Sequence, residues 1–370
     1  MHVLDASRAA GVVGALMGEE RRAFAQKNLE KQDEIRQAMA GGTRRPLMPY
    51  DEARAQALKI SWRQEDLAQP QSLALHEELH TPLEDIVPYI DWTPLFHAWE
   101  LKGRYPAIFD KPEIGLAARE LFDNAQALLR RIVTEKRLTA QAVWQFFAAA
   151  SEGDDIVLYE GSTPRARLCT IRQQQVQTGA PTHALADFIA PRKSSEGGEL
   201  KDFLGAFVVT AGIGLESLVA EFEAQDDDYN AIMVKALADR LAEAYAEMLH
   251  EKARHFCGFG TQESLSKEEL IGEKYRGIRP APGYPACPDH LDKRLLFDLV
   301  QAPERIGVTL TESCAMLPAA SVSGWYFNHP KARYFGVGKL GRDQIENLAV
   351  RKGYTVEELE RWLQANLGYE

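Results

Sequence analysis

Between Arg279 and His290 the chain reads Arg-Pro-Ala-Pro-Gly-Tyr-Pro-Ala-Cys-Pro-Asp-His, with four prolines within twelve residues. Each proline fixes its own φ and lacks a backbone donor, so this stretch can form neither a regular helix nor a central strand. Gly283 permits a backbone angle or a close approach that other residues resist. What remains is a stiff, extended loop with an arginine at its mouth and a tyrosine inside it. Such a loop holds polar groups in place at low entropic cost on binding. A plain surface connector is the competing reading of the same composition.

Around the loop two periodicities alternate. Ile114, Ala118, Leu121, Leu128, Leu129 and Ile132 recur at helical spacing. Asp154–Tyr159 and Ala166–Ile171, parted by Gly161-Ser162-Thr163-Pro164, predict a hairpin. Phe203–Thr210 reads as a further strand, and a helical region from about 213 to 255 is broken near Asp226-Asp227-Asp228. Strands are predicted over 308–316, 323–327 and 334–337. Two helices close the chain: the first stops near Gly353, and the second starts at Thr355 with Glu358 completing a capping box. Hairpins beside clustered helices predict an α+β fold with a largely antiparallel sheet. A Rossmann fold is excluded because no GxGxxG segment opens a helix.

A formal charge of −11 with no compensating basic stretch argues against nucleic acid as a partner. No apolar run approaches the roughly 20 residues that span a bilayer, and no secretory pattern opens the sequence. A cytoplasmic protein without a membrane partner is expected. Cys169, Cys257, Cys287 and Cys314 form no CxxC pair, so reduced thiols are expected rather than a zinc or dithiol motif. Cys287 and His290 lack the further ligands a metal needs; no metal is predicted, and His290 is assigned structural hydrogen bonding.

Further motifs stand in a fixed order along the chain. Tyr89-Ile90-Asp91-Trp92-Thr93-Pro94 is followed by Leu185-Ala186-Asp187-Phe188, by Asp227-Asp228-Tyr229-Asn230 and by Lys235 through Glu243. After the proline loop come Leu310-Thr311-Glu312-Ser313, Ser321 through Phe327, and the ending Asn366-Leu367-Gly368-Tyr369. From about residue 86 onward, these motifs and their order resemble the activation domain of cobalamin-dependent methionine synthase, and the proline loop resembles its S-adenosylmethionine-binding loop. The resemblance implies that family's α+β fold and S-adenosylmethionine as bound methyl donor. It also implies a reactivation role in methionine biosynthesis: a flavodoxin or similar donor reduces oxidised cobalamin, and the donor's methyl group traps the reduced form. Cobalamin would be held by a domain or subunit outside this chain, because the family's cobalt-ligating Asp-x-His-x-x-Gly string does not occur here. No catalytic side chain is implied, since the work is positioning, and the chain alone is not expected to make methionine. The alternatives are a non-catalytic S-adenosylmethionine-binding or docking module for a separate corrinoid protein, and a methyltransferase acting on another corrinoid protein.

S-adenosylmethionine carries a carboxylate, an ammonium, a sulfonium and an adenine ring. Arg279 suits the carboxylate because its planar fork can bond both oxygens, the role the resemblance implies for it. Asp91 matches the aspartate that receives the ammonium; read alone, it is a helix cap before Thr93-Pro94. Glu243 and Glu273 match glutamates near the sulfonium, where two carboxylates offset its charge. Without the resemblance, Glu243 is a solvated residue off its helix's buried stripe and Glu273 an exposed loop acid. Tyr334 and Phe335 match an aromatic pair that contacts the donor, or else face inward from a strand. Ala281 and Tyr284 are implied as loop contacts.

Residues 1–40 match the terminal strand and helix of a cobalamin-binding domain, with a strand and cap at Val3–Arg8 and a helix from about Glu19 to Ala40. A linker is expected over 41–85 and the S-adenosylmethionine-binding activation domain over 86–370. The chain therefore reads as a C-terminal piece or a separately encoded subunit. One stretch departs from the family: residues 142–150 lack its usual glycines, proline and asparagine, which puts the local turn in doubt.

Overall fold

Along residues 139–152, Val143, Phe147 and Ala149 alternate with Ala142, Trp144 and Phe146, and all six are buried. A strand with two apolar faces must be covered on both. In the computed structural model, which describes residues 16–17, 21–41, 46–176, 179–193 and 197–369, this stretch is the central strand of an antiparallel sheet. Its strands are β1 (His76–Thr81), β2 (Thr139–Glu152), β3 (Asp155–Glu160), β4 (Thr163–Cys169), β5 (Asp202–Ile213) and, after a two-residue pair β6 (Thr309–Leu310) and β7 (Met316–Leu317), β8 (Ser321–Tyr326). The order is β4-β3-β2-β5-β8, with β1 also paired to β2. Segment 142–150 thus forms no turn: valine, tryptophan and phenylalanine favour the extended state, and Ala142 to Ala149 pair with Val209 to Asp202.

The principal helices are α1 (Arg21–Gly41), α2 (Gly115–Thr134), α3 (Leu215–Glu223), α4 (Asp228–Phe256), α5 (Asp292–Val300), α6 (Arg342–Lys352) and α7 (Val356–Trp362). On one face of the sheet α2, α3 and α4 pack against Trp144, Phe146, Phe207, Val209 and Tyr326. On the other face α5 and the short helix Ala302–Ile306 cover Val143, Phe147, Leu204, Val208 and Trp325. Asp227 caps α4, accepting from the Asn230 backbone N–H at 3.1 Å. The capping box at Thr355 and Glu358 forms as predicted.

Two predicted strands are corrected. Residues 334–337 are irregular, with Gly336 within the stretch and Gly338 just after it; Val337 N–H donates to the Pro285 carbonyl at 2.9 Å, and the Gly336 carbonyl accepts from the Gln173 side chain at 2.7 Å. The 308–316 stretch contributes only the two short strands β6 and β7.

The chain divides into two units, Met1–Pro46 and Leu47–Glu370. In the first, α1 is a charged helix with Leu29 half exposed; the strand and cap expected at Val3–Arg8 lie outside the described residues. The second takes in most of the stretch expected as a linker over 41–85. Tyr50 and Ala53 of a short helix are buried there, and β1 joins the sheet opposite Ala140 to Trp144. Burial of those side chains and the ladder bonds explain why this segment belongs to the folded unit.

Candidate functional site

Helix α4 packs against the sheet, and between Leu241 and His250 none of its residues is exposed; Ala242, Ala244 and Ala246 are buried there. This stretch carries Glu247 into the interior and leaves Glu243 partly exposed. Glu243 and Glu247, one turn apart, share a face. Opposite them runs the proline loop. Its entry is tied to the sheet, with Ile278 and Phe327 exchanging backbone bonds of 2.9 Å and Trp325 N–H donating to the Pro280 carbonyl at 3.0 Å. Gly324 makes that approach possible, since a Cβ there would stand 2.8 Å from the Pro280 carbonyl oxygen.

The loop is bonded to itself. Tyr284 N–H donates to the Ala281 carbonyl at 3.1 Å, Cys287 N–H to Tyr284 at 3.0 Å, and Gly283 N–H to Cys287 at 2.8 Å. The Cys287 thiol donates to the Ala281 carbonyl at 2.9 Å. Gly283 has φ +98°, and a Cβ there would lie 2.2 Å from the His290 ring, so only glycine fits. His290 in turn bonds Lys293 at 3.1 Å. Behind the loop the buried ammonium of Lys352 joins Asp289 and Asp292. Burial pushes the Cys287 thiol well above its ordinary value, which makes it an inert packing and bonding group.

Between α4 and the loop lies a cavity of about 500 Å³. Its lining includes Glu243, Glu273, Arg279, Ala281, Tyr284, Tyr334 and Phe335, together with Pro280, Pro285, Ala286 and Val322. Residues from α4, the loop, β8 and the irregular 334–335 segment thus meet at one place. Asp91 is not in the lining. Its carboxylate accepts from the Thr93 backbone N–H at 2.9 Å, at the first residue of the short helix Thr93–Ala98. Tyr334 and Phe335 reach the cavity from the irregular segment rather than from a strand.

Arg279 is fixed from two directions. Its backbone N–H donates to the Tyr334 hydroxyl at 3.1 Å, and its Nη2 donates to Glu247 Oε2 at 2.7 Å. Burial would lower the Arg279 pKa, but the Glu247 carboxylate outweighs it and holds the guanidinium well above its ordinary value. Burial raises the Glu273 carboxyl, with Arg279 opposing and Glu247 adding to the shift. Burial likewise raises the phenols of Tyr284 and Tyr334, which therefore serve as neutral groups. The site contains one fixed cation, two carboxylates at the wall and an aromatic rim. It offers no activated nucleophile. Among the described residues no cluster of three or more His, Cys, Asp or Glu converges as a metal site.

Glu247 went unnoticed in the sequence. Its signal was the repeat Glu243-x-x-x-Glu247, because like charges one turn apart on a helix repel unless a cation answers one of them.

A model of the family described as "Vitamin B12 dependent methionine synthase, activation domain" matches residues 82–353. The chain belongs to that family. A solved structure, the MetH reactivation domain bound to AdoHcy, is 45% identical, with a TM-score of 0.83 over 88% of this chain and 100% of that one. The α+β, largely antiparallel architecture is the family's, and the proline loop and α4 both fall inside the matched residues. No helix among the described residues is long and apolar enough to cross a membrane.

Proposed function

We propose that this chain binds S-adenosylmethionine in the cavity between α4 and the proline loop and serves as the reactivation module of a cytoplasmic cobalamin-dependent methionine synthase. The observation that carries this reading is the charge pattern of one cavity. Arg279, Glu243 and Glu273 line it together, and their formal charges complement a ligand that bears one carboxylate and two cationic groups. A cavity of this size lies within the range usual for small-molecule sites.

In this reading the donor guanidinium edge that Glu247 leaves open on Arg279 takes the carboxylate. Glu243 and Glu273 face the sulfonium, and Tyr284, Tyr334, Phe335 and the Ala281 backbone hold the adenosine. Asp91 keeps the ammonium role on the resemblance alone. The stiff loop, Lys352-pinned from behind, keeps the donor in one orientation, so rate enhancement comes from placement and not from a protein nucleophile. The corrinoid, carried by a cobalamin-binding domain in cis or in trans, supplies the methyl-accepting metal. Residues 1–40 are assigned to the end of such a domain, and a flavodoxin or similar protein to electron supply.

Calorimetric titration with S-adenosylmethionine tests binding. Mixing the chain with a cob(II)alamin-loaded corrinoid domain, a reductant and S-adenosylmethionine then tests reactivation, with a methylcobalamin spectrum expected. Binding without that spectrum would leave a docking module; no binding at all would overturn the reading. With homocysteine and methyltetrahydrofolate the chain alone should form no methionine.

A further inference from the structure

Behind the cavity wall, Glu247 is 4% exposed, and the side chain of Arg279 that it bonds is itself largely covered. A carboxylate at that depth is costly unless paired, and the single cation bonded to it is Arg279. Glu247 uses only Oε2 for this bond; neither its Oε1 nor Arg279 Nε has a protein partner. On the same helix His250 is buried between the rings of Tyr326 and Tyr275, and its two nitrogens and both tyrosine hydroxyls have no hydrogen-bond partner. None of these neighbours supplies a second tether to the guanidinium. Its orientation therefore depends on one hydrogen bond to a carboxylate that lies outside the cavity lining.

We propose that Glu247 is a positioning residue for recognition of the ligand's amino-acid end. By gripping Nη2 from the interior it turns the free edge of the Arg279 guanidinium toward the cavity and answers its charge. A ligand carboxylate then meets an oriented pair of donors rather than a swinging cation. Glu247 itself touches no ligand. This inference rests on the binding reading above and adds to it a specific dependence: Glu247 matters only for ligands that carry a carboxylate.

The experiment compares two ligands on the full chain by calorimetry. S-adenosylhomocysteine carries the amino-acid end, whereas 5′-methylthioadenosine keeps the adenosine and thioether but has no carboxylate. Glu247→Gln preserves volume and deletes the charge that holds Arg279. It should weaken S-adenosylhomocysteine about tenfold, the lower end of what a charge-assisted hydrogen bond contributes, and leave methylthioadenosine within twofold. Because a buried substitution can unfold a protein, a second background carries the test: with Arg279→Met in place, Glu247→Leu should cause no further loss of S-adenosylhomocysteine affinity, since no guanidinium remains to be oriented. Equal loss for both ligands would mean a general structural role and overturn the proposal. Unchanged or tighter S-adenosylhomocysteine binding by Glu247→Gln would overturn it too. A wild-type chain that bound neither ligand would sink the functional reading and this inference with it, an outcome distinct from wild-type binding with an insensitive Glu247.

Discussion

Arg172 and Arg279 are both covered arginines paired with acids, yet they are wired differently. Arg172 spends every donor group on the protein. Its Nε and Nη2 bond Asp154 at 2.9 and 2.6 Å, and its Nη1 and Nη2 bond Asp187 at 2.9 and 2.6 Å. The Tyr50 hydroxyl then donates to the other oxygen of Asp154 at 2.8 Å. Arg279 has one side-chain bond to the protein and an unpartnered Nε, and it lines a cavity. A saturated guanidinium ties chain segments together; one with donors left over is equipped to meet a ligand.

The sharpest way to break this contrast is to remove each arginine in turn. Arg172→Leu strands Asp154 and Asp187 in the interior, so urea denaturation should show a loss of about 3–5 kcal/mol of stability. Whatever fraction stays folded should bind S-adenosylmethionine with unchanged affinity. A loss below about 1 kcal/mol would show that the cluster is not holding the scaffold together.

Acid should likewise strike the scaffold before the cavity. His329 is buried, its Nδ1 accepts from the Lys331 backbone N–H at 3.1 Å, and burial lowers its pKa from 6.5 to about 4. An unfolded chain takes up this proton near pH 6.5 and the folded chain only near 4. Stability should therefore fall as pH drops through that window, by up to about 3 kcal/mol at 1.36 kcal/mol per unit. His329→Gln should flatten this part of the pH–stability curve; an unchanged slope would assign the acid sensitivity elsewhere.

For Arg279→Ala the balance reverses. S-adenosylmethionine affinity should fall by about 1.5–3 kcal/mol, the range for a hydrogen bond to a charged group. Arg279→Lys should restore only part of it, because an ammonium cannot reproduce the fork. Calorimetry returning wild-type affinity for Arg279→Ala would remove the loop's arginine from the site.

The two arginines also differ in how far the sequence revealed them. Arg279 stood in a proline-rich motif whose stiffness is local, so its place at a loop mouth could be read from neighbouring residues. The Arg172 side chain bonds Asp154, Asp187 and Thr182, and its backbone exchanges bonds with the Gln344 side-chain amide, partners that only the tertiary fold brings together. The same distinction covers the misreadings. Tyr334 to Val337 has strand-forming side chains, but the structure gives it no neighbouring strand to pair with. Residues 41–85 read as a linker, and β1 within them went unread because its sheet partner, β2, lies about sixty residues further on. Glu243 is partly exposed off its helix's buried stripe, as periodicity predicts; that it lines the cavity depends on the proline loop opposite, which periodicity cannot see.

The smallest expected effect refines the cavity itself. Glu243→Gln and Glu273→Gln should each cost more affinity for S-adenosylmethionine than for S-adenosylhomocysteine, because only the donor carries a sulfonium charge for a carboxylate to attract. Both residues keep contact with solvent, so screening limits the change in the donor-to-product ratio to about fivefold or less, and added salt should shrink it. Glu273 offers a second handle. Its carboxyl is raised by burial and by Glu247, so on acidification it loses its charge before an ordinary glutamate does. The donor-to-product ratio of the wild-type chain should then decline in mild acid, and Glu273→Gln should abolish that decline while Glu243→Gln leaves it in place. If both ligands lose affinity equally in the glutamine variants, these carboxylates hold the adenosine or the amino-acid end, and the sulfonium is stabilised by the aromatic rim alone.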